Sequence, residues 1–322
     1  MVSRAQRSLI GDWWWTIDRW FLAAFLCLMG LGAVLSFAAS PAVAERIGLD
    51  SFHFVSRQLL FMLPAVAVMI GVSFLEARQI RRLALAMLVV SLVAMVAVLF
   101  VGAEIKGARR WLHILGVSFQ PSEYLKPAFV VICAWLFSEK TRNPDIPGNL
   151  LAMILLGLVL ALLVAQPDLG QTLLVLATWG VMFFMAGMPW LWILVLGGGA
   201  VALGLVAYTA FPHVAGRIDR FLTGEGDTFQ VDMGREALVR GGWFGQGPGE
   251  GSIKRILPDS HTDFIFAVLA EEWGFLGVSS VLILFGAYIL NGARVATRAR
   301  DRTGILLVVG LLSVFTGHVL YN

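Results

Sequence analysis

The sequence predicts an all-α, polytopic helical bundle embedded in a membrane, and three observations carry that prediction. Of the 322 residues, 58% are hydrophobic and only 14% are charged, where a soluble domain carries about 25% charged residues. Mean hydropathy is +0.81, and separate apolar runs reach the roughly 20 residues that cross a hydrocarbon layer. Basic residues gather in alternate connections between those runs, the pattern of a chain oriented by the positive-inside tendency. Residues 1–322 read as one transmembrane domain with a large loop at about 212–262.

Nine spans are expected, at about 20–39, 59–75, 83–101, 121–137, 150–165, 172–186, 190–211, 264–290 and 305–321. Ahead of the first, Trp13, Trp14 and Trp15 suit an interfacial aromatic anchor or a partner contact. The start is polar and the first apolar run is long enough to span, so no cleavable leader is expected. Arg57, at the head of the second span, either snorkels to headgroups or joins an anion site. The fourth span opens on Pro121, a residue suited to a first helical turn. The fifth and sixth are joined by Gln166–Gln171 with almost no loop. A cytoplasmic N-terminus puts Arg4, Arg7, Arg78, Arg81, Arg82, Lys140, Arg142, Arg294, Arg298, Arg300 and Arg302 inside, as the tendency requires. Cys27 and Cys133 both fall in apolar runs, which favours buried free thiols over a disulfide. The net charge of +3 is small; membrane lipids are expected partners and nucleic acid is not.

One short external connection breaks the charge rule. Between Gly102 and Gln120 it carries Lys106, Arg109 and Arg110, and arginine forks with a lysine point charge suit phosphate oxygens. Beyond Gln120, Glu123 and Lys126 share a helix face; they form either a structural ion pair or part of a ligand site. Asp168 is either a helix N-cap or a counter-charge to the basic loop. The Gly-rich run 245–251 superficially matches a phosphate cradle, but no strand precedes it. A packed loop is the better reading, with Lys254 and Arg255 the better anion contacts. Asp263 stands where a polar loop enters an apolar helix, a costly place for a carboxylate and by default a functional one. It suits a general base, a metal ligand or an N-cap. His261 has no second His at ligand spacing and reads as structural. Glu271 lies about 80° around the helix from Asp263 and Glu272 nearly opposite; Glu271 either faces the same cavity or pairs inside the bundle.

Together, Lys106-Gly107-Ala108-Arg109-Arg110-Trp111, Gln120-Pro121-Ser122-Glu123 with Lys126, Gln166-Pro167-Asp168-Leu169-Gly170, and His261-Thr262-Asp263-Phe264 with Glu271-Glu272 resemble the SEDS family, the polytopic glycosyltransferases of bacterial wall growth that include RodA and FtsW. The resemblance implies a peptidoglycan polymerase that joins lipid II disaccharides and releases undecaprenyl pyrophosphate. Asp263 corresponds to the family's essential aspartate and would act as base. Lys106, Arg109 and Arg110 would contact the pyrophosphate. Glu123, Lys126 and Asp168 would order the cavity, with Gln120, Lys254 and Glu271 also lining the substrate. One base and no covalent intermediate imply inversion at the reacting carbon. The sequence itself requires no cofactor, and the resemblance leaves room for a divalent cation, Mg or Mn, to help hold the phosphates as in related polymerases.

The Trp-rich start and the run 226–232 resemble the division branch more than the elongation branch. That branch implies an FtsI-like class B penicillin-binding transpeptidase and other divisome proteins as partners, in the inner membrane, with the active site facing the periplasm. The family normally has ten helices and a Gly-rich motif near the last; ending at Asn322, this chain is expected to be a shortened version. A lipid II flippase is the rival reading, and it wants a charged path reaching both leaflets.

Overall fold

The computed structural model describes residues 9–105, 108–114, 116–210, 215–216, 219, 229–257 and 260–321. Its helices are α1 (Leu9–Thr16), α2 (Arg19–Arg46), α3 (His53–Ser73), α4 (Ala77–Val101), α5 (Pro121–Arg142), α6 (Gly148–Ala165), α7 (Leu169–Met185), α8 (Trp190–Ala210), α9 (Phe229–Gly241), α10 (Ile265–Arg298) and α11 (Arg302–Tyr321). Each expected span coincides with one of these, and α2, α3, α4, α6, α10 and α11 are long and apolar enough to cross a membrane. Two features were not anticipated. Between α4 and α5 lies a small antiparallel sheet of β1 (Ala103–Ile105), β2 (Ala108–Ile114) and β3 (Val117–Phe119) in that order. The region read as one loop at 212–262 contains α9 and a 3-10 turn at Ile253–Arg255.

The chain divides into two compact units, Met1–Phe74 with Gly198–Tyr288, and Leu75–Gly197 with Ile289–Asn322. In the second unit, α4 to α7 and α11 enclose an apolar core that includes Met95, Phe129, Phe137, Trp179 and Phe183. Trp179 and Phe183 stack with ring centroids 4.5 Å apart. Cys133 is buried in that core. Cys27, in the first unit, is exposed rather than buried, so the apolar run around it turns its thiol side off the bundle.

In the first unit, Asp18 caps α2, its Oδ1 accepting from the backbone N–H of Trp20 and Phe21 at 2.9 and 3.1 Å. Trp13 donates to Ser73 Oγ at 2.7 Å and stacks on Phe74, while Trp14 and Trp15 are exposed beneath the Arg19 guanidinium. Leu31 and Leu35 of α2 pack on Leu269, Ala270, Val278 and Val281 of α10.

The helix α10 is broken at Gly274, where φ is +64° and ψ −163°. Only glycine takes up such a conformation without steric cost. The break releases backbone groups that a hydrocarbon environment cannot leave unpaired. The carbonyls of Glu271 and Glu272 accept from the N–H of Gln246 and Gly247 at 2.9 and 3.1 Å. Beyond the break, the N–H of Phe275 and Leu276 donate to the carbonyls of Gly242 and Trp243 at 2.8 and 3.2 Å. The segment 241–251 thus completes the interrupted helical ladder. Its approach is close enough that a Cβ on Gly241 would run into the Ala270 carbonyl.

Gly241→Ala is therefore expected to cost about 1–3 kcal/mol by overpacking and to lower the thermal midpoint of the detergent-solubilised protein by several degrees. Gly157→Ala, where a Cβ meets nothing within 4 Å, is the control and should leave the midpoint in place. Fluorescence-detected size exclusion after heating reads both; equal midpoints would show that the loop does not seat on the helix.

Candidate functional site

Asp263 lies on the turn 260–264 that leads into α10. It is exposed, and among the described residues its carboxylate has no hydrogen-bond or ion-pair partner. The turn around it is fixed from below. Ser260 is fully buried and donates to the Lys254 carbonyl at 3.1 Å. The His261 ring packs on Phe54 of α3 with centroids 4.4 Å apart, a structural contact of the kind its isolation in sequence suggested. Pro258 and Asp259 lie outside the described residues.

Behind the turn, Glu271 and Glu272 are sealed from solvent. Uncompensated carboxylates there would be prohibitive, so each must be met by donors. Glu271 Oε1 accepts from the N–H of Ser252 at 2.8 Å and of Ile253 at 3.1 Å, and from Ser252 Oγ at 3.1 Å. Glu272 Oε2 accepts from the N–H of Gly249 at 2.9 Å, and its Oε1 forms an ion pair with Lys254 Nζ. The remaining donors of Lys254 go to the carbonyls of Ala38 and Gly249 at 3.0 and 2.9 Å. Gly249 of the glycine-rich run, with Ser252 and Ile253 just after it, thus packs its backbone N–H groups on the protein's own carboxylates. Lys254 and Glu271, expected to line substrate, are committed to internal partners. Opposite placement on a helical wheel did not separate the two glutamates, because the 249–254 segment wraps both flanks of α10.

In the second unit the basic loop is part of the small sheet. Glu104 pairs with Arg109, but Ala103 pairs with Trp111, so Arg110 is the extra residue of a β-bulge. Bulges redirect a side chain that strict alternation would place elsewhere. Here the guanidinium of Arg110 reaches the Pro167 carbonyl and lies 3.6 Å from Asp168 Oδ2. Asp168 is at once counter-charge and N-cap, since its Oδ1 accepts from the Gln171 N–H at 3.4 Å. Burial pushes its carboxyl above the usual range, against the pull of Arg110. Arg109 remains exposed, with a 3.4 Å ion pair to Glu104. Lys106 lies outside the described residues.

Lys126, on the first turns of α5, is almost completely buried, and its ammonium has three protons to place. They go to Glu123 at 2.8 Å, Gln171 Oε1 at 2.6 Å and His318 Nε2 at 2.6 Å. His318 Nδ1 lies 3.0 Å from the Val314 carbonyl; donation there assigns the proton to Nδ1 and leaves Nε2 as the acceptor Lys126 needs. Gln171 Nε2 closes the network by donating to Glu123 Oε1 at 2.9 Å. Gln120, half-buried, ends the sheet and offers its carbonyl to the Glu123 N–H at 3.2 Å. Sequence reasoning identified Glu123 and Lys126 but missed Gln171 and His318, which sit alone in apolar helices with no neighbouring motif to mark them.

The structure thus brings Arg110 to Asp168 and Glu123 to Lys126 in one unit, and Lys254 to Glu272 beneath Asp263 in the other. Among the described residues no group of three His, Cys, Asp or Glu could hold a metal ion. The Lys126 network has an asymmetry that can be measured. Glu123 is 40% exposed and its partner only 2%, so removing the glutamate strands a buried cation, whereas removing the lysine leaves a carboxylate that water reaches. Glu123→Ala is expected to lower the thermal midpoint more than Lys126→Met, by roughly 1–3 kcal/mol of extra desolvation cost. Equal or reversed losses would mean that the ammonium is not sealed.

The chain is similar in sequence and fold to known proteins. The model of a family described as cell cycle protein, FtsW/RodA/SpoVE, matches residues 18–322. A relative from Caulobacter vibrioides (strain NA1000 / CB15N), named "Probable peptidoglycan glycosyltransferase FtsW", is 42% identical over 99% of this chain and 83% of its own length. Stage V sporulation protein E of Bacillus subtilis (strain 168) is 32% identical over 92% of this chain and 84% of its own. Among solved structures, a chain from work on structural coordination of polymerization and crosslinking by a peptidoglycan synthase complex superposes with a TM-score of 0.76 at 26% identity, covering 95% of this chain and 85% of that one. The rod shape determining protein RodA of Thermus thermophilus gives 0.68 at 27% identity, covering 95% and 84%. This polytopic membrane protein therefore belongs to the FtsW/RodA/SpoVE family.

Proposed function

We propose that the chain is a peptidoglycan glycosyltransferase of the division type, polymerising lipid II at the periplasmic face of the inner membrane. The observation that carries the reading is the exposed Asp263 carboxylate at the head of α10, on a turn anchored by fully buried groups. An exposed carboxylate without a resident cation keeps its lone pairs available, and rigid support holds it where a hydroxyl can be presented. The family match and the Caulobacter relative's name support the substrate class.

In the reaction proposed, Asp263 accepts the proton of the 4-hydroxyl on an acceptor's GlcNAc. That oxygen attacks C1 of the donor's MurNAc, the bond to the lipid pyrophosphate breaks, and the configuration at C1 inverts. The pyrophosphate leaves with the bonding electron pair, a growing charge of the kind that cations stabilise. Of the two arginines on the small sheet of the second unit, Arg109 is the more exposed, because Arg110 is held by Asp168 and the Pro167 carbonyl. The Arg110–Asp168 and Lys126 networks then serve as positioning devices. No step is assigned to a divalent cation.

Within the first unit, Arg46 at the C-terminal end of α2 reaches the Ile256 and Leu257 carbonyls, each at 3.4 Å. With a cytoplasmic N-terminus, that end of α2 is periplasmic, and the Asp263 turn is reached from the same side. The likeness to a chain from a synthase complex that coordinates polymerization and crosslinking supports a crosslinking partner, proposed as a class B penicillin-binding transpeptidase; divisome proteins are proposed as further partners.

The test supplies fluorescent lipid II to the reconstituted chain with such a partner and compares wild type with Asp263→Asn. Loss of a general base is expected to reduce strand formation about 10²- to 10⁴-fold, with an unchanged thermal midpoint because Asp263 is exposed and its carboxylate has no hydrogen-bond or ion-pair partner among the described residues. Full activity in the variant would sink the base assignment. Lipid transfer between leaflets without strands in either protein would favour the flippase reading.

A further inference from the structure

The first unit contains a cavity that the proposed reaction leaves unused. It lies between the C-terminal half of α2 and the 3-10 turn, has a volume of about 580 Å³, and is lined by Phe37, Pro41, Ala42, Glu45, Arg46 and Arg255, among others. That volume is in the range of small-molecule sites, about 300–1,000 Å³. One wall is apolar and the other charged.

The charges do not cancel locally. Lys254 at the cavity's base is neutralised by Glu272, and the Glu45 carboxylate accepts from Ser51 Oγ at 3.0 Å. Arg46 spends one guanidinium nitrogen on two carbonyls, which fixes its position without neutralising it. Arg255 is exposed and has no partner among the described residues. Among the described residues that line the cavity, two cations therefore stand against one carboxylate. Pro41 has no N–H to close the helical bond to the Phe37 carbonyl, which leaves a backbone acceptor at the apolar wall. Lys254 Nζ answers the neighbouring Ala38 carbonyl.

An amphiphile with an anionic head matches both walls at once. Since α2 is long and apolar enough to cross a membrane, the lipids packed against its end are the nearest source of such a molecule. We propose that this cavity binds an anionic phospholipid of the surrounding leaflet, its phosphodiester held by Arg46 and Arg255 and the first methylenes of its chains lying along Phe37, Pro41 and Ala42. The bound lipid would seal the seam between α2 and the turn that carries the Lys254–Glu272 pair.

The chain can be reconstituted in nanodiscs with equal phosphatidylglycerol and phosphatidylcholine, and the retained lipid read by native mass spectrometry. Wild type is expected to keep phosphatidylglycerol selectively. Arg46→Gln and Arg255→Gln should each reduce that selectivity roughly fivefold, the weight of one basic side chain at an anionic surface, and Arg255→Lys should retain most of it. Because the Arg255 side chain is exposed and has no partner among the described residues, R255Q tests the site without endangering the fold. Inorganic phosphate, lacking an acyl stem, should not displace the lipid; displacement would make this a free-anion site and overturn the proposal. Equal retention of the two lipids by wild type, or unchanged selectivity in both glutamine variants, would also overturn it.

Discussion

The ion pair between Glu272 and Lys254 is the constraint from which the first unit is built. A carboxylate and an ammonium sealed from solvent are tolerable only when every remaining proton and lone pair is met. That requirement accounts for three otherwise separate features: the glycine-rich segment that presents its N–H groups to the two glutamates, the contact of Lys254 with the Ala38 carbonyl of α2, and the attachment of Ser260 to the Lys254 backbone. The Asp263 turn inherits its position from all of them. Burial of two carboxylates held by internal donors thus supports the exposure of one proposed to act as base.

The second unit solves a similar problem with the sign reversed. Its buried charge is the Lys126 ammonium, and its donors are distributed over three helices, to Glu123 on α5, Gln171 on α7 and His318 on α11. Such a network ties helices together by geometry more than by energy, since dry ion pairs recover little beyond their own desolvation. The Arg110–Asp168 contact extends the same logic to the sheet, holding a bulged strand to the α6–α7 junction.

Much of this architecture was legible in the sequence, for definable reasons. Helix spans follow from apolar length, Pro121 marked the first turn of α5, and Asp168 fitted both roles it turns out to fill. What escaped detection depends on non-local pairing. The bulge that redirects Arg110 is defined only by the register of β1 on β2. His318 is a lone histidine in an apolar run, and only the fold brings it to Lys126 from 192 residues away. Glu271 and Glu272 were assigned to different faces by assuming a straight helix with a partner on one side, whereas the chain returns to embrace both.

The break at Gly274 also bears on inheritance. Four backbone hydrogen bonds and two carboxylates register segment 242–253 against α10 one residue at a time. A single insertion or deletion there would shift every donor off its acceptor at once. Loop and helix must therefore vary together in length, so that a chimera between relatives is viable only when both are exchanged as one module.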